Sequence, residues 1–375
     1  MAMPQRMLIV NPFGIGDVLF TTPLIRALRL AFPTSRLGYL CNQRTERILR
    51  ANPHLNDLYV YEKDEVVHLW RRSTWEGLRH VAGLVRHIRQ ARFDLAIDLS
   101  LGERYSFFLA LLGVPRRVGF NYRRRGRFLT ESLSIGGYHD QHVVDYYRGL
   151  LQFLGVHLGD ASLELATSPE DERWAQEWLR AHRVDEEGVS LVGIVPAGGV
   201  SWGIDAPFRR WGFEEFAAVG DALVARHGVR IILFGEAADA PVCRAVARLM
   251  RSPTIDLGGQ TTLGQFVSLL ARLKLVICND GGPLHLAVSQ GVPTVSVFGP
   301  VDPRVYGPYP PSPHHVAVYR EELPCRPCYR QFKLPPCPYE RACLTTLGPE
   351  EVIEACRVLL GSSQSSNVPR RTSNS

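Results

Sequence analysis

Short apolar runs alternate along this chain with stretches whose apolar residues recur at helical spacing. In the first half the pattern predicts strands at 7–11, 37–41, 58–61 and 93–99, and helices at 21–30, 44–51, 78–90 and 142–154. Regular alternation of strand and helix is typical of a parallel sheet with helices on both faces. The first half therefore predicts a doubly wound α/β domain.

The same alternation begins again near residue 189. It predicts strands at 189–195, 229–234, 254–257, 273–278 and 294–298, and helices at 169–182, 213–227, 241–251, 263–272, 283–290 and 349–360. A chain of 375 residues is long enough for two such domains. We predict one domain at 1–165, a second at 166–348, a terminal helix at 349–360, and a disordered Ser-rich tail at 361–375.

Two of these strands end in a glycine turn that leads into a helix. Residues 11–17 read Asn-Pro-Phe-Gly-Ile-Gly-Asp, and residues 278–285 read Cys-Asn-Asp-Gly-Gly-Pro-Leu-His. Glycines allow a ligand to approach the backbone, and the unpaired amides at a helix start favour a phosphate. The same turns suit an ordinary strand-to-helix connection, and Asp17 suits a simple helix cap. The pattern by itself leaves both interpretations open.

The charge balance is mildly basic. Lys and Arg number 43 against 37 Asp and Glu, which gives a net charge of +6. This excess suits anionic ligands or an anionic surface, but no dense basic stripe with interleaved aromatics predicts nucleic-acid binding. No apolar run is long enough to span a bilayer and the N-terminus leads directly into a strand, so we expect a cytoplasmic protein without a signal peptide. The densest cationic cluster is Arg123, Arg124, Arg125 and Arg127, which suits either a solvated loop or an anionic partner.

Four of the eight cysteines lie close together in the sequence, at Cys325, Cys328, Cys337 and Cys343. A CxxC pair with two further cysteines suits a structural zinc or iron site with four thiolates, which would order a proline-rich segment. The second pair is not a CxxC, and reduced buried thiols are equally compatible with the spacing. A redox role is not favoured, because no thioredoxin-like context surrounds the motif.

Four segments form a combined pattern: 11–17 with Thr22-Pro23, 93–99, 209–211 with Phe216, and 280–285 through 298–300. In their order and spacing they resemble glycosyltransferase family 9, the ADP-heptose:lipopolysaccharide heptosyltransferases. The resemblance implies the GT-B fold, in which two Rossmann-like domains face each other across a cleft. It also implies an inverting transfer of heptose, or a related sugar, from a nucleotide-sugar donor such as ADP-heptose to a lipopolysaccharide core or related glycan. No cofactor is required for that chemistry.

The resemblance also implies roles for individual residues. Asp17, in the acceptor-side loop with Gly14 and Gly16, becomes the general base. The donor diphosphate is bound by amides around Gly281, Gly282 and Leu284, while Asp280 and His285 hold the loop or the sugar. The balancing cation is Arg209, where many members have Lys, or its neighbour Arg210. Gly281 stands where Ser or Thr is common in the family.

Three further assignments depend on position. Glu236 follows a predicted strand, where an acidic residue binds ribose hydroxyls. Arg123, Arg124 and Arg125 lie in the expected acceptor domain, where they would suit a phosphorylated, lipid-linked acceptor and a peripheral contact with the inner membrane. The terminal helix at 349–360 would cross back to the first domain, as it often does in this fold.

Other functions remain compatible with the sequence. One is a heptosyltransferase that modifies protein and uses the cysteine segment as a metal finger. Another is a nucleotide-sugar binding protein without catalytic activity. A dinucleotide-dependent oxidoreductase is disfavoured, because Gly14 and Gly16 are not followed by the third glycine of that motif.

Overall fold

The chain forms two compact units in the computed structural model, which describes residues 3–62, 74–184 and 189–362. Within these ranges, unit 1 contains residues up to 168 together with the later segments 304–310 and 330–333. Unit 2 contains residues 169–303, 311–329 and 334 onward. The sequence pattern did not predict the two short segments that return to unit 1, because neither has a periodic apolar pattern.

Unit 1 is built on a parallel six-stranded sheet with strand order β3-β2-β1-β4-β5-β6. Its strands are β1 (Arg6–Val10), β2 (Arg36–Cys41), β3 (Asp57–Val60), β4 (Leu95–Asp98), β5 (Arg116–Tyr122) and β6 (Glu131–Ile135). Its helices are α1 (Ile15–Leu19), α2 (Thr22–Ala31), α3 (Gln43–Leu49), α4 (Thr74–Ala91), α5 (Glu103–Leu111) and α6 (Val143–Gln152). The chain order reverses at β1, whose neighbours are β2 and β4.

The central strand β1 is buried from Met7 to Val10, which explains its continuous apolar run. Leu8 and Val10 pack in one core cluster with Leu40, Tyr59 and Ala96 from the neighbouring strands. The loop that follows β1 therefore starts from a rigid support. In doubly wound sheets, ligands bind beyond the carboxyl ends of strands at the point where the strand order reverses.

Unit 2 repeats the plan with strand order β12-β11-β10-β7-β8-β9, again parallel throughout. Its strands are β7 (Leu191–Val195), β8 (Arg230–Leu233), β9 (Thr254–Asp256), β10 (Leu275–Asn279), β11 (Thr294–Val297) and β12 (His315–Val318). The remaining helices are α7 (Pro169–Ala181), α8 (Phe213–His227), α9 (Ala240–Leu249), α10 (Leu263–Leu270), α11 (Gly282–Ser289), α12 (Pro303–Tyr306), α13 (Ala342–Thr345) and α14 (Pro349–Ser362). A 3₁₀ segment, Val200–Arg209, follows β7.

The core of unit 2 lies between its sheet and helices α8, α9 and α14. Val352, Ile353, Cys356 and Leu359 of α14 belong to the same buried cluster as Phe216 and Ile277. The terminal helix thus packs on unit 2, whereas we had predicted that it would cross back to the first domain. The apolar face of α14 is buried against the sheet of unit 2. That face is therefore not available to pack on another part of the chain.

Most predicted strands and helices are present, with ends shifted by one or a few residues. The pattern missed strands β5, β6 and β12, helix α5 and the short helices α12 and α13, none of which has a long apolar run or clear amphipathic spacing. Residues 363–375 of the predicted disordered tail lie outside the described residues. Within the described ranges, no helix combines the length and the apolarity needed to cross a lipid bilayer.

Candidate active site

Two asparagines hold the loop that follows β1. Asn11, buried at the end of the strand, accepts a hydrogen bond from the Phe13 amide at 3.1 Å and donates one to the Asp17 carbonyl at 3.2 Å. Asn42, at the start of α3, donates to the carbonyl oxygens of Pro12 at 3.0 Å and Phe13 at 2.6 Å. These bonds fix the position of the glycine loop between β1 and α1.

Asp17 is the third residue of α1 and is half-buried. One of its carboxylate oxygens accepts a hydrogen bond from the Gly14 amide at 3.2 Å, so Asp17 does cap the helix. A carboxylate can accept several hydrogen bonds, and a helix start favours a negatively charged side chain. The capping geometry is therefore compatible with proton abstraction, and the catalytic role of Asp17 stays a prediction.

Three buried tyrosines lie close enough to Asp17 to sense its charge. Burial raises the pKa of Tyr39, Tyr138 and Tyr147, and the negative charge of Asp17 raises it further. These phenols therefore stay protonated around the carboxylate. No sequence pattern indicated them, because Tyr138 and Tyr147 come from chain segments more than a hundred positions beyond Asp17.

The predicted acceptor-side arginines lie on the loop after β5 and are exposed. Arg123 donates to the Gln331 side chain at 2.7 Å, and its guanidinium lies 5.1 Å from the centre of the Tyr122 ring. Arg125 lies 5.9 Å from the same ring. Arg123 and Arg124 have positive φ angles of 51° and 60°, which mark a tight turn at this point. Segment 330–333 thus contributes to the surface around the cluster.

In unit 2, Asn279 has the role that Asn11 has in unit 1. It is buried at the end of β10, where it accepts from the Trp211 amide at 2.9 Å. Its amide group donates to the carbonyl oxygens of Pro196 at 2.8 Å and Ala197 at 3.3 Å. Asn279 therefore connects three parts of the site. They are the loop after β7, Trp211 beside the two arginines, and the glycine turn before α11.

Arg209 and Asp280 form a buried ion pair beside that turn. The Arg209 Nε donates to Asp280 Oδ2 at 3.1 Å, and Nη2 donates to the same oxygen. The Arg209 guanidinium also stacks over Trp202, 4.2 Å from the ring centre. Burial raises the pKa of Asp280, while the charges of Arg209 and Arg326 oppose that rise. Arg209 therefore lies beside the turn before α11, where Asp280 balances much of its charge. Its role as the diphosphate cation stays a prediction.

Gly281 has φ of +143° and ψ of −163°. Side chains other than hydrogen rarely adopt this conformation. The Arg209 Nη2 lies 4.0 Å from the place that a β-carbon would occupy, so space is available and the backbone angle is the constraint. Glycine is therefore the residue that fits this turn. Gly282 then begins α11, with Pro283 in its first turn.

Arg210 belongs to a second polar group. It donates to the Gly198 carbonyl at 3.0 Å and pairs with the buried Asp239 at 3.2 Å. The other Asp239 oxygen accepts from the Glu236 amide at 3.4 Å. The Arg210 side chain is 25% exposed, against 9% for Arg209, so Arg210 is the more accessible of the two cations. Glu236 is exposed and lies in the loop that follows β8.

Leu284 and His285 both point away from solvent. Leu284 is fully buried and His285 is 3% exposed. The contribution of Leu284 to a phosphate site could therefore come only from its backbone amide in the first turn of α11. His285 lies on the buried side of the same helix, and its predicted role with the loop or the sugar stays a prediction.

The cysteine segment lies entirely within the described residues. Cys325, Cys328 and Cys337 are half-buried free thiols, and Cys343 is buried. Burial raises the pKa of Cys343 to about 11, with the neighbouring thiols contributing. Among the described residues, no group of three or more His, Cys, Asp or Glu side chains could hold a metal ion. The predicted zinc or iron site is therefore not supported.

Arg326, between the first two cysteines, was missed at the sequence level. Its guanidinium donates to three carbonyl oxygens, those of Gly299 at 2.6 Å, Arg320 at 2.9 Å and Val301 at 3.0 Å. Burial lowers its pKa, and it contributes to the electrostatic field on Asp280. A single arginine in a proline-rich segment gives no local signal of this role. It orders the segment through hydrogen bonds.

This chain is similar in sequence and in fold to several known proteins. Lipopolysaccharide heptosyltransferase 3 of Escherichia coli K12 is 26% identical over 302 residues, covering 78% of this chain and 82% of the relative. The glycosyl transferase family 9 structure from Veillonella parvula DSM 2008 is 27% identical, with a TM-score of 0.81 over 96% of this chain and 99% of its own. The structure of E. coli ADP-heptose LPS heptosyltransferase II is 19% identical, with a TM-score of 0.72 over 96% of this chain and 100% of its own.

These similarities confirm the predicted α/β fold with two doubly wound domains of the GT-B type. The sequence model of glycosyltransferase family 9 (heptosyltransferase) matches residues 81–334, which include the Arg209–Asp280 pair and the start of α11. The match covers well over half of the chain. This protein therefore belongs to glycosyltransferase family 9, and it is a glycosyltransferase.

Proposed function

We propose that this enzyme transfers heptose from ADP-heptose to a lipopolysaccharide core, with inversion at the anomeric carbon. The observation that carries the proposal is the Arg209–Asp280 pair beside the first turn of α11. It fixes a cation next to unpaired backbone amides, which is the arrangement that binds a diphosphate. The donor and the acceptor are those of similar enzymes, namely E. coli ADP-heptose LPS heptosyltransferase II and lipopolysaccharide heptosyltransferase 3.

In the proposed reaction Asp17 accepts the proton of an acceptor hydroxyl. The hydroxyl oxygen forms a bond to the anomeric carbon of heptose, while the bond from that carbon to the β-phosphate oxygen breaks. ADP leaves with the electron pair of that bond. The amides of Gly282 and Leu284, together with Arg209 or Arg210, stabilise the charge that develops on the leaving phosphate. This scheme assigns the positive charge to protein groups and needs no metal.

The remaining assignments follow from the same scheme. Glu236 binds the ribose hydroxyls of the donor. Arg123, Arg124 and Arg125 bind phosphate groups of a lipid-linked acceptor. Because that acceptor is anchored in a bilayer, we infer that the enzyme works as a peripheral protein at the cytoplasmic face of the inner membrane. A protein-directed heptosyltransferase is not favoured, since the relatives reported above are named for lipopolysaccharide and the metal finger lacks support.

Replacement of Asp17 by asparagine tests the proposal. The amide side chain introduced by this change can still accept the hydrogen bond of the Gly14 amide, but it cannot accept a proton. We expect the variant D17N to fold normally, to gain the same thermal stabilisation from ADP-heptose, and to transfer heptose about 10²–10⁴-fold more slowly.

The variant D17A, which removes both the cap and the base, separates the two roles. If D17N retained the transfer rate while D17A lost stability, Asp17 would be only a helix cap. A parallel thermal-shift series with GDP-, UDP- and dTDP-sugars tests the nucleotide. Donor binding without transfer by the unmodified enzyme to any lipopolysaccharide core would favour a non-catalytic binding protein.

A further inference from the structure

Helix α5 presents apolar side chains to solvent. Arg104, Phe107 and Leu111 are spaced at i, i+3 and i+7, so they share one face of the helix. Phe107 is 50% exposed and Leu111 is 71% exposed. The opposite face, with Ser106 and Leu109, is buried. Phe107 and Leu111 therefore form a small apolar patch on the outer face of the helix.

The loop after β5 extends this face with positive charge. Phe128 contacts Phe107 in an edge-to-face arrangement, with ring centres 5.0 Å apart. The Arg127 guanidinium lies 4.6 Å from the Phe128 ring centre and 3.6 Å from Glu103. Arg104, Arg123, Arg124, Arg125 and Arg127 are all exposed. Contacts therefore connect Phe107 of α5 with Phe128 and Arg127, and Arg123, Arg124 and Arg125 lie on the same loop as Arg127.

The charge of this stretch is strongly one-sided. Between positions 103 and 128 the sequence has seven arginines and one acidic residue, Glu103. Two of the arginines serve the fold: Arg116 pairs with Glu131 at 2.6 Å, and Arg117 donates to the Phe128 carbonyl at 2.6 Å. The other five are the exposed ones, so the excess charge faces outward.

We propose that this surface, formed by Arg104, Phe107, Leu111, Arg123, Arg124, Arg125, Arg127 and Phe128, docks on the anionic face of a lipid bilayer. Phe107 and Leu111 enter the boundary between headgroups and acyl chains, while the arginines contact lipid phosphates. The inference rests on the proposed function, in which the acceptor is lipid-linked, and it names the side chains that hold the enzyme at the membrane.

Charge and shape together favour a bilayer over other anionic partners. Stable membrane binding generally needs two signals, and here an apolar anchor adjoins a basic cluster. A nucleic acid would use the arginines but would have no use for an exposed Leu111.

Co-sedimentation with vesicles tests the proposal without an activity readout. The probes are vesicles of phosphatidylcholine alone and of phosphatidylcholine mixed with phosphatidylglycerol. We expect binding to the mixed vesicles that weakens as salt increases, and little binding to phosphatidylcholine alone. The double variant Phe107→Ser with Leu111→Ser should bind about tenfold more weakly. The double variant Arg104→Ser with Arg127→Ser should lose about fivefold for each arginine.

Helix α9 of unit 2 offers matched controls, since Leu249 is 46% exposed and Arg244 and Arg248 are exposed. Leu249→Ser, and Arg244→Ser with Arg248→Ser, should leave vesicle binding unchanged. Equal binding to both vesicle types would overturn the proposal. Loss of binding in the arginine variant but not in the Phe107 and Leu111 variant would also overturn it, because the surface would then be a simple polyanion site.

A transfer assay with a deacylated, water-soluble acceptor keeps this inference separate from the proposed function. The Phe107 and Leu111 variant should retain its rate with that acceptor. If the unmodified enzyme transfers heptose but does not bind vesicles, the docking surface is wrong and the function stands. If it binds vesicles as described but transfers nothing, the docking surface stands and the proposed function is wrong.

Discussion

The guanidinium of Arg209 donates two hydrogen bonds to one carboxylate oxygen of Asp280, and both side chains are more than nine-tenths buried. The residues are 71 positions apart in the sequence. Asp280 directly precedes the glycine that leads into α11, so the pair fixes the start of that helix. Since Asp280 accepts from only two guanidinium nitrogens, Arg209 has further donor capacity for a phosphate.

Removing one partner of this ion pair should lower the free energy of unfolding more than removing both partners. Asp280→Asn leaves the Arg209 charge buried without its counter-ion, and we expect a loss of about 3 kcal/mol in the free energy of unfolding. The double variant Arg209→Met with Asp280→Leu leaves no buried charge and should recover most of that loss. Urea denaturation measures both values.

The same double variant tests the role of Arg209 in donor binding. If Arg209 contacts the diphosphate, ADP-heptose should no longer raise the thermal stability of the folded double variant. Retained donor stabilisation would assign the diphosphate to Arg210, whose side chain is the more exposed. Equal stability of the single and double variants would contradict the ion-pair argument itself.

Gly281 should be intolerant of a β-carbon for a purely conformational reason. Its φ of +143° is strained for alanine, whereas the nearest atom to the added carbon is 4.0 Å away. We expect Gly281→Ala to lose about 1–3 kcal/mol of stability and to weaken donor binding, because the amides at the start of α11 would move.

Gly83 is a matched control for that substitution. It lies within α4, a β-carbon there meets nothing within 4 Å, and it has no positive φ. Gly83→Ala should therefore stabilise the protein by about 0.5–1 kcal/mol, the opposite sign. A stabilising effect of alanine at both positions, measured by urea denaturation, would show that backbone strain at Gly281 is negligible.

Local patterns in the sequence predicted nine of the twelve strands that the structure describes, and both glycine turns. The strands of a parallel sheet are buried on both faces, so their apolar runs identify them without reference to the rest of the chain. The local signatures of turn and cap residues placed Asp17 and Gly281 in turns before helices, whereas their proposed roles came from the family resemblance. Elements with short or weakly periodic sequences, such as α5 and β12, have no comparable signature.

The contacts that organise the site depend on distant parts of the chain. Asn11 follows β1 and Asn279 ends β10, and only the fold reveals that their side chains hold neighbouring loops. For the four cysteines, by contrast, the sequence pattern predicted a site that the fold does not support. Their spacing resembles a metal site, but spacing does not fix the three-dimensional arrangement of thiols that a metal requires. The structure does not provide it among the described residues.

Asp98 should make stability depend on pH in an unusual direction. It lies at the end of β4, paired with Val10 of β1, and is 3% exposed. Burial raises its pKa from the usual 3.8 to about 6, although the Ser100 amide donates to the carboxylate at 2.9 Å. Because the folded state favours the protonated acid, this contribution to stability is complete below about pH 3.8 and is lost as the pH rises through about 6.

The difference between these two pKa values corresponds to about 3 kcal/mol. Asp98→Asn keeps an acceptor for the Ser100 amide but cannot ionise, so it should be more stable than the unmodified protein at neutral pH by up to that amount. The advantage should shrink through the range between the two pKa values and vanish at lower pH. Urea denaturation at a series of pH values measures it. Asp98→Ala should gain about 1 kcal/mol less than Asp98→Asn, because the Ser100 amide would lose its partner. If Asp98→Asn were less stable at neutral pH, the buried carboxylate would have to be stabilised by its surroundings, and the raised pKa would be wrong.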